Sequence, residues 1–486
     1  MDTKYFKYHK IIYLLCCGML LIACKKKFLD IDPKGYLIAQ KTEDYDLILN
    51  DVSTLAEISS VSTVLMSDEL ATSAFYFESD TRLLDQNAFK WADDLYTVTA
   101  PRSEFFVLSQ QLYLYNKVIN EVLDSEGDNM AQKKMLRAEA LAGRAYIYFM
   151  LVNFYGKPYQ AVTAASDLGV PLLKIADATQ TKFTRASVQE AYDQILADLN
   201  EAMPDLPAKV SSRVRMSKAA GEALLGKVYM FMGSFDKALP WLDRAVADLQ
   251  NASVAVGLYD FNKELLAGGV WYPINSFTGP PRSDAYKDKE ILYLKRATNQ
   301  YYYLLSAMVV NPQTMALFGA NDQRLKFLSP YPLAVAQSYP LGMRRAYGKG
   351  YSNFGIGVAD IYLLRAECRS RMGDIGTAAT ELLEFRKNRM PAAAAVIPAS
   401  ATANKVALTK FILEERIREF AVDGARWFDM RRLSVDPEYA ATVGKSHQVY
   451  DDNGNVVASY ALKPERFTLR LPLYILAANP AMPQNP

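Results

Sequence analysis

The sequence predicts a mainly α-helical chain built from helical hairpins, with long irregular loops and a few short β-hairpins. Three observations carry that reading. Apolar residues recur at helical spacing over three long segments. Two of these segments contain turns with the same spacing of small residues, and the stretches between them are irregular and rich in Pro, Gly and aromatic residues.

The chain opens with a basic stretch (Lys4, Lys7, Lys10), an apolar run from Ile11 to Ile22, and Ala23 before Cys24. That order is the plan of a secretory signal peptide. Twelve apolar residues fall short of the roughly 18–20 that span a bilayer as a helix, and Lys25, Lys26 and Lys27 end the run. Leu21-Ile22-Ala23-Cys24 resembles the lipobox of bacterial lipoproteins. The expectation is a signal peptide over 1–23 and a lipid on Cys24. With Cys16 and Cys17 removed and Cys24 acylated, Cys368 is the one remaining thiol, expected as a small buried apolar residue.

A short tether, Lys25 to Lys34, leads into what reads as a single domain over 24–486, with an N-terminal half of about 24–230 and a C-terminal half of about 265–486. In the first helical segment Leu136, Ala140, Gly143, Ile147, Leu151 and Phe154 share a face, and Gly156 and Pro158 stop it. In the second, Ala220, Leu224 and Val228 precede a turn at Gly233, after which Phe235, Ala238, Leu242 and Ala245 continue the pattern. The third has Ala366 before Gly373 and Ala378 after it. Gly233 to Ala238 and Gly373 to Ala378 are both separations of five, which lets paired helices approach closely. This resembles a tetratricopeptide-like helical hairpin, although the units are not in tandem, and an ordinary helical hairpin fits equally well. His447 to Tyr460 reads as a β-hairpin around a type I′ turn at Asn453-Gly454.

Charge excludes one class of partner. Removing residues 1–23 takes three lysines and one aspartate from totals of 55 and 53, leaving 52 of each sign, so nucleic-acid binding has no electrostatic footing. Catalytic motifs are also missing: there is no G-x-S-x-G, phosphate loop or dinucleotide fingerprint. His9 leaves with the signal peptide, and His447 alone cannot build a multi-His metal site; it reads as a solvent-facing strand residue. Asp451-x-Asn453-x-Asn455 lacks the glycine and glutamate positions of a calcium loop and reads as a turn. The charged segment near Glu415 reads as a helix with an exposed Glu414–Arg418 pair and a buried stripe of Leu413, Ile417 and Phe420, while Trp427 reads as a core wedge. No cofactor or metal is expected.

Several stretches occur in a recognisable order: Phe28-Leu29-Asp30 with Pro33, Ser67-Asp68-Glu69, Arg144-Ala145-Tyr146 running to Tyr155-Gly156-Lys157-Pro158, and Thr184-Arg185-Ala186-Ser187-Val188. Glu415-Arg416-x-Arg418-Glu419-Phe420 and Gly424-x-Arg426-Trp427-Phe428-Asp429-Met430-Arg431-Arg432 follow, and Gln484-Asn485-Pro486 closes the chain. Together they resemble the SusD/RagB lipoproteins across nearly the whole mature chain. The resemblance implies a surface nutrient-binding protein without enzyme activity, lipid-anchored in the outer membrane. It also implies a glycan or oligosaccharide ligand and a SusC-like TonB-dependent transporter as partner. A surface glycoside hydrolase with an unrecognised carboxylate pair is the alternative.

Rings in irregular loops are the ligand candidates. Trp91, Tyr96, Trp271, Tyr272, Phe277 and Tyr286 would stack on sugar rings, with Asp93, Asp94 and Arg282 hydrogen-bonding hydroxyls. At least one of the two tryptophans is expected to touch ligand; failing that, Tyr301 to Tyr303 is the next candidate.

Overall fold

A computed structural model describes residues 39–486 apart from 59–61, 80–82, 98–102, 276–277, 282–283, 299–306, 334–336 and 348–350. Cys24 lies outside the described residues, as do Phe277, Arg282 and Tyr301 to Tyr303. About half of the described residues are helical, with few short strands. The helices that matter here, in chain order, are α1 (Ala74–Ser79), α2 (Glu104–Glu121), α3 (Met130–Tyr155), α4 (Val188–Ala202), α5 (Lys218–Phe231) and α6 (Phe235–Asp248). After them come α7 (Pro312–Met315), α8 (Val358–Arg371), α9 (Ile375–Lys387), α10 (Lys405–Glu419) and α11 (Ala425–Ser434).

Local chemistry sets the helix starts. Ser187 accepts from the Glu190 N–H at 3.1 Å while the Glu190 carboxylate accepts from the Ser187 N–H at 2.7 Å, a reciprocal capping box that begins α4. Asn404 caps α10 by accepting from the Ala407 N–H at 2.9 Å. The two predicted hairpins form as α5–α6 and α8–α9, turning at Gly233 (φ 71°) and Gly373 (φ 91°), where a left-handed backbone favours glycine. On α5, a Cβ added at Gly226 would lie 2.7 Å from Leu242 Cγ, so the helices touch backbone to side chain. Cys368 is fully buried on α8, where burial pushes its thiol up to about 12.

Four strands, β1 (Leu70–Ser73), β2 (Met308–Val310), β3 (Ser446–Tyr450) and β4 (Val456–Ala461), form one sheet in the order β4-β3-β1-β2. β1 pairs parallel to β3, with Ser73 opposite Tyr450, and antiparallel to β2. The predicted hairpin is β3–β4, but its turn is not type I′. That turn requires positive φ at two central residues, and only Gly454 (φ 83°) has it. The loop instead folds around Asp451, whose carboxylate accepts from the N–H groups of Asn453 (2.9 Å) and Asn455 (2.8 Å).

The charged helix departs most from expectation. Glu414 and Arg418 do not pair. Arg418 donates to Glu415 at 2.7 Å, and Glu415 is fully buried, also accepting from Arg324 (2.7 Å) and from Arg386. Arg416 is buried between Asp429 (2.7 Å) and Asp360 (2.8 Å). The buried apolar positions are Leu408, Ile412 and Leu413, while Ile417 and Phe420 are half-buried. Trp427 is fully buried and stacks on Phe467, with ring centroids 5.8 Å apart.

Candidate ligand-binding surface

β1 delivers the chain into α1, and because Ser73 lies opposite Tyr450, the first turn of α1 emerges beside the Asp451–Asn455 loop. Phe77 points inward, buried against Phe89 at 5.2 Å and Tyr460 at 6.5 Å. That anchor turns Phe75 outward, where it is 69% exposed. Tyr76 stands edge-on to Phe75 at 5.1 Å and 84°, and partial burial together with the Asp452 charge raises its phenol above the ordinary value. From the other side the Pro340–Gly342 turn lays Leu341 over Gly454, where an added Cβ would sit 3.1 Å from Leu341 Cγ. The result is a ledge: an exposed ring, a half-buried phenol and an exposed aliphatic side chain gathered around a loop of two carboxylates and two side-chain amides. Such a surface offers a flat apolar face together with hydrogen-bonding groups. Two residues apart on a helix, Phe75 and Phe77 fall on opposite faces; which of them faces the core is decided by Phe89 and by Tyr460, the latter nearly 400 residues away.

A partly open pocket of about 180 Å³ lies where Phe261, Phe327, Ala346 and Tyr351 meet α8, α10 and α11. Phe261 and Phe327 form one wall, and Tyr351 donates to Asp288 at 2.7 Å on another. Its charged groups are committed: Lys227 and Arg416 both hold Asp360, at 2.9 and 2.8 Å. A cavity of roughly 150 Å³ accepts one six-membered ring, so this volume fits a single ring.

The predicted rings fall into two groups. Trp91, Tyr96 and Trp271 are buried at 3%, 5% and 1% exposure, which corrects their assignment as ligand-stacking faces. Trp91 donates its indole N–H to the Met66 carbonyl at 2.9 Å and stacks on His447 with centroids 3.7 Å apart. Tyr96 donates to Glu104. Trp271 is boxed in by Tyr259, Phe261 and Phe327, with centroids 4.5, 4.9 and 5.2 Å away. Neither tryptophan presents a ring face to solvent. Tyr272 (50% exposed) and Tyr286 (36% exposed) remain on the surface, Tyr286 under the Arg296 guanidinium at 5.0 Å. Asp93 pairs with Lys463 and Arg466, and Asp94 with Arg470, so these carboxylates tie their loop to the 463–470 segment.

His447 is also corrected. It is fully buried, sandwiched between Trp91 and Phe89, with its ring nitrogens 2.7 Å from the Phe89 carbonyl and 2.8 Å from the Ser67 carbonyl. Strand alternation puts it on the core side of β3, between outward-facing Ser446 and Gln448.

Among the described residues no helix is long and apolar enough to cross a membrane, and no three His, Cys, Asp or Glu side chains are placed to hold a metal ion.

Two family models match the chain: one described as starch-binding associating with outer membrane over residues 27–230, and the SusD family over residues 342–486. SusD-like protein P2 of Formosa agariphila is 24% identical over 89% of this chain and 92% of its own, and SusD-like protein P38 of the same organism is 26% identical over 61% and 66%. Among solved structures, a putative sugar binding protein from Bacteroides vulgatus superposes with a TM-score of 0.68 at 19% identity, covering 93% of this chain and 99% of that one. A laminarin binding SusD-like protein superposes at 0.60 with 20% identity, covering 92% and 100%. With the two matched segments at opposite ends of a fold that these structures share throughout, the chain belongs to the SusD/RagB family.

Proposed function

We propose that this protein is a lipid-anchored nutrient-binding protein of the outer membrane, which captures an oligosaccharide at the Phe75–Tyr76 ledge and passes it to a SusC-like TonB-dependent transporter. The observation that carries the reading is Phe75, a large ring held outward beside Asp451, Asp452, Asn453 and Asn455. A free aromatic face stacks on the C–H side of a sugar, and the loop supplies partners for hydroxyls. The family description as starch-binding and the laminarin-binding relative support a glycan as ligand. Of the predicted rings that the structure describes, Tyr272 and Tyr286 stay exposed and are kept as further candidate contacts. Lipid attachment at Cys24 would hold the binding body at the membrane.

Capture without hydrolysis fits the carboxyls. A glycosidase needs an acid of raised pKa beside its substrate. Among the described residues, the two carboxyls that burial pushes up most, Glu69 to about 8 and Glu222 to about 7, are inside the scaffold.

The test is a glycan array followed by calorimetry on the parent and on Phe75→Ala. Binding without product release, weakened roughly tenfold in the variant at unchanged melting temperature, is expected. Equal affinity in the variant moves the site off the ledge. Turnover abolished by a single carboxylate substitution replaces the binding reading with the hydrolase.

A further inference from the structure

A second concavity, an open groove of about 390 Å³, runs over the outward face of β1 and β3. Ala71, Gln448 and Tyr450 form its floor, α7 gives one wall through Gln313, and α10 gives the other through Lys410 and Glu414. Glu414 is left over on this wall because Arg418, one turn further on, is spent on the buried Glu415. At the end of the groove Arg426 is locked on Asp68 by two 2.7 Å hydrogen bonds, and Asp68 also accepts from the Gly444 N–H at 2.6 Å, so that pair cancels itself. Lys445 stands at the mouth.

Once the locked pair is set aside, Lys410, Lys445 and Glu414 remain as charges with no hydrogen bond or ion pair among the described residues. Two ammonium groups outweigh one carboxylate, above a floor that mixes a small apolar residue with an amide and a phenol. The floor and walls suit ring faces and hydroxyls, and the excess positive charge suits an anion carried by the same ligand.

We infer that this groove is a second saccharide subsite, selective for an acidic oligosaccharide, in which Gln313, Gln448 and Glu414 meet hydroxyls while Lys410 and Lys445 flank a carboxylate or sulfate. The inference rests on the glycan-binding reading above and adds the charge of the ligand. Both lysines are exposed, so their attraction is screened by salt and each contributes modestly.

Calorimetry on the mature chain with tetragalacturonate, a chondroitin sulfate tetrasaccharide and neutral laminaritetraose tests it, at about 50 mM and about 500 mM salt. At least one acidic sugar is expected to bind more tightly than the neutral one, and which of the two does so identifies the anion. That binding should weaken roughly fivefold at high salt and roughly fivefold in Lys410→Ser/Lys445→Ser, with laminaritetraose unchanged. Glu414→Gln, which removes the opposing charge, should tighten acidic binding. Acidic sugars that bind no better than the neutral one, or equally well to the double variant, overturn the inference. If laminaritetraose still binds through Phe75, the glycan reading survives that loss; if none of the three binds, both fall.

Discussion

Glu69 lies between Asp68 and the first residue of β1 and is fully buried, with one carboxylate oxygen accepting from the Val422 N–H at 2.7 Å and the other without a hydrogen-bond partner among the described residues. Val422 itself is left-handed (φ 62°), a costly conformation for a β-branched residue, so this contact fixes the turn between α10 and α11. Burial pushes the Glu69 carboxyl up to about 8. Between the unfolded value near 4.5 and about 8 the folded protein keeps a proton that the unfolded chain releases. The resulting stabilisation is complete below the lower value and is lost as pH rises through the upper one, by at most about 1.4 kcal/mol per pH unit. Glu69→Gln keeps an acceptor for Val422 and cannot ionise. Urea denaturation at pH 5, 7 and 9 should therefore show parental stability declining and the variant's staying flatter; parallel profiles would refute the role. Trp91 makes a second residue-scale case. Removing a ring buried between Met66 and His447 should cost about 3–5 kcal/mol while leaving glycan affinity unchanged. A tryptophan in an irregular stretch looks like a ligand contact in sequence, because the partners that bury it, such as His447, are hundreds of residues distant.

At the scale of elements, periodicity made the helical hairpins legible, but the turn glycines serve the backbone and not close approach: a Cβ at Gly233 or Gly373 would meet nothing within 4 Å, and the left-handed φ is what calls for glycine. Close approach is set inside the helix instead, at Gly226 of α5, with Leu242 Cγ 2.7 Å and Leu242 N 3.3 Å from an added Cβ. Gly226→Ala should force α5 from α6 and destabilise by about 1–3 kcal/mol, read as a lowered denaturation midpoint; an unchanged midpoint would show that the pair has slack. The charged helix was not legible. Acidic and basic residues three and four apart on α10 read as a solvated face, since an exposed pair and a buried network share the same spacing. What distinguishes them is supplied from elsewhere, by Arg324, Arg386 and Asp360. Burial would raise the Glu415 carboxyl, yet the guanidinium groups of Arg324, Arg418 and Arg386 together hold it well below the ordinary carboxylate range. Glu415→Gln would leave three buried cations short of a counter-charge and should cost about 3–5 kcal/mol by chemical denaturation. A loss below 1 kcal/mol would mean that water or Glu419 takes over.

For the whole molecule, the decisive junction is the C-terminal end of α3. The last carbonyls of a helix need donors, and the negative end of its dipole favours cations. Here they come from three remote places: Arg185 donates to the Tyr155 carbonyl at 2.8 Å, Asn485 to the same carbonyl at 2.8 Å, and Arg431 to the Gly156 carbonyl at 2.7 Å. Asn485 also donates to the Leu469 carbonyl at 2.6 Å, and Gln484 exchanges two hydrogen bonds with the Leu471 backbone at 2.7 and 2.8 Å. The closing Gln484-Asn485-Pro486, visible in the sequence only as a matching pattern, thus locks the final segment onto a helix that begins at Met130. One buried apolar cluster drawing on residues from Ala39 to Met482 runs through both proposed halves. The two halves should therefore unfold together. Deleting residues 483–486 removes the side-chain donors on the Leu469 and Leu471 carbonyls and one of the two on Tyr155, and each buried acceptor left unpaired costs about 1–3 kcal/mol. The shortened chain should lose stability as a unit: tryptophan fluorescence, reporting Trp91 near one end and Trp427 near the other, and far-UV circular dichroism should shift to the same lower urea midpoint. Two separate transitions, or a midpoint equal to the parent's, would show that the halves fold independently and that the C-terminal lock is dispensable.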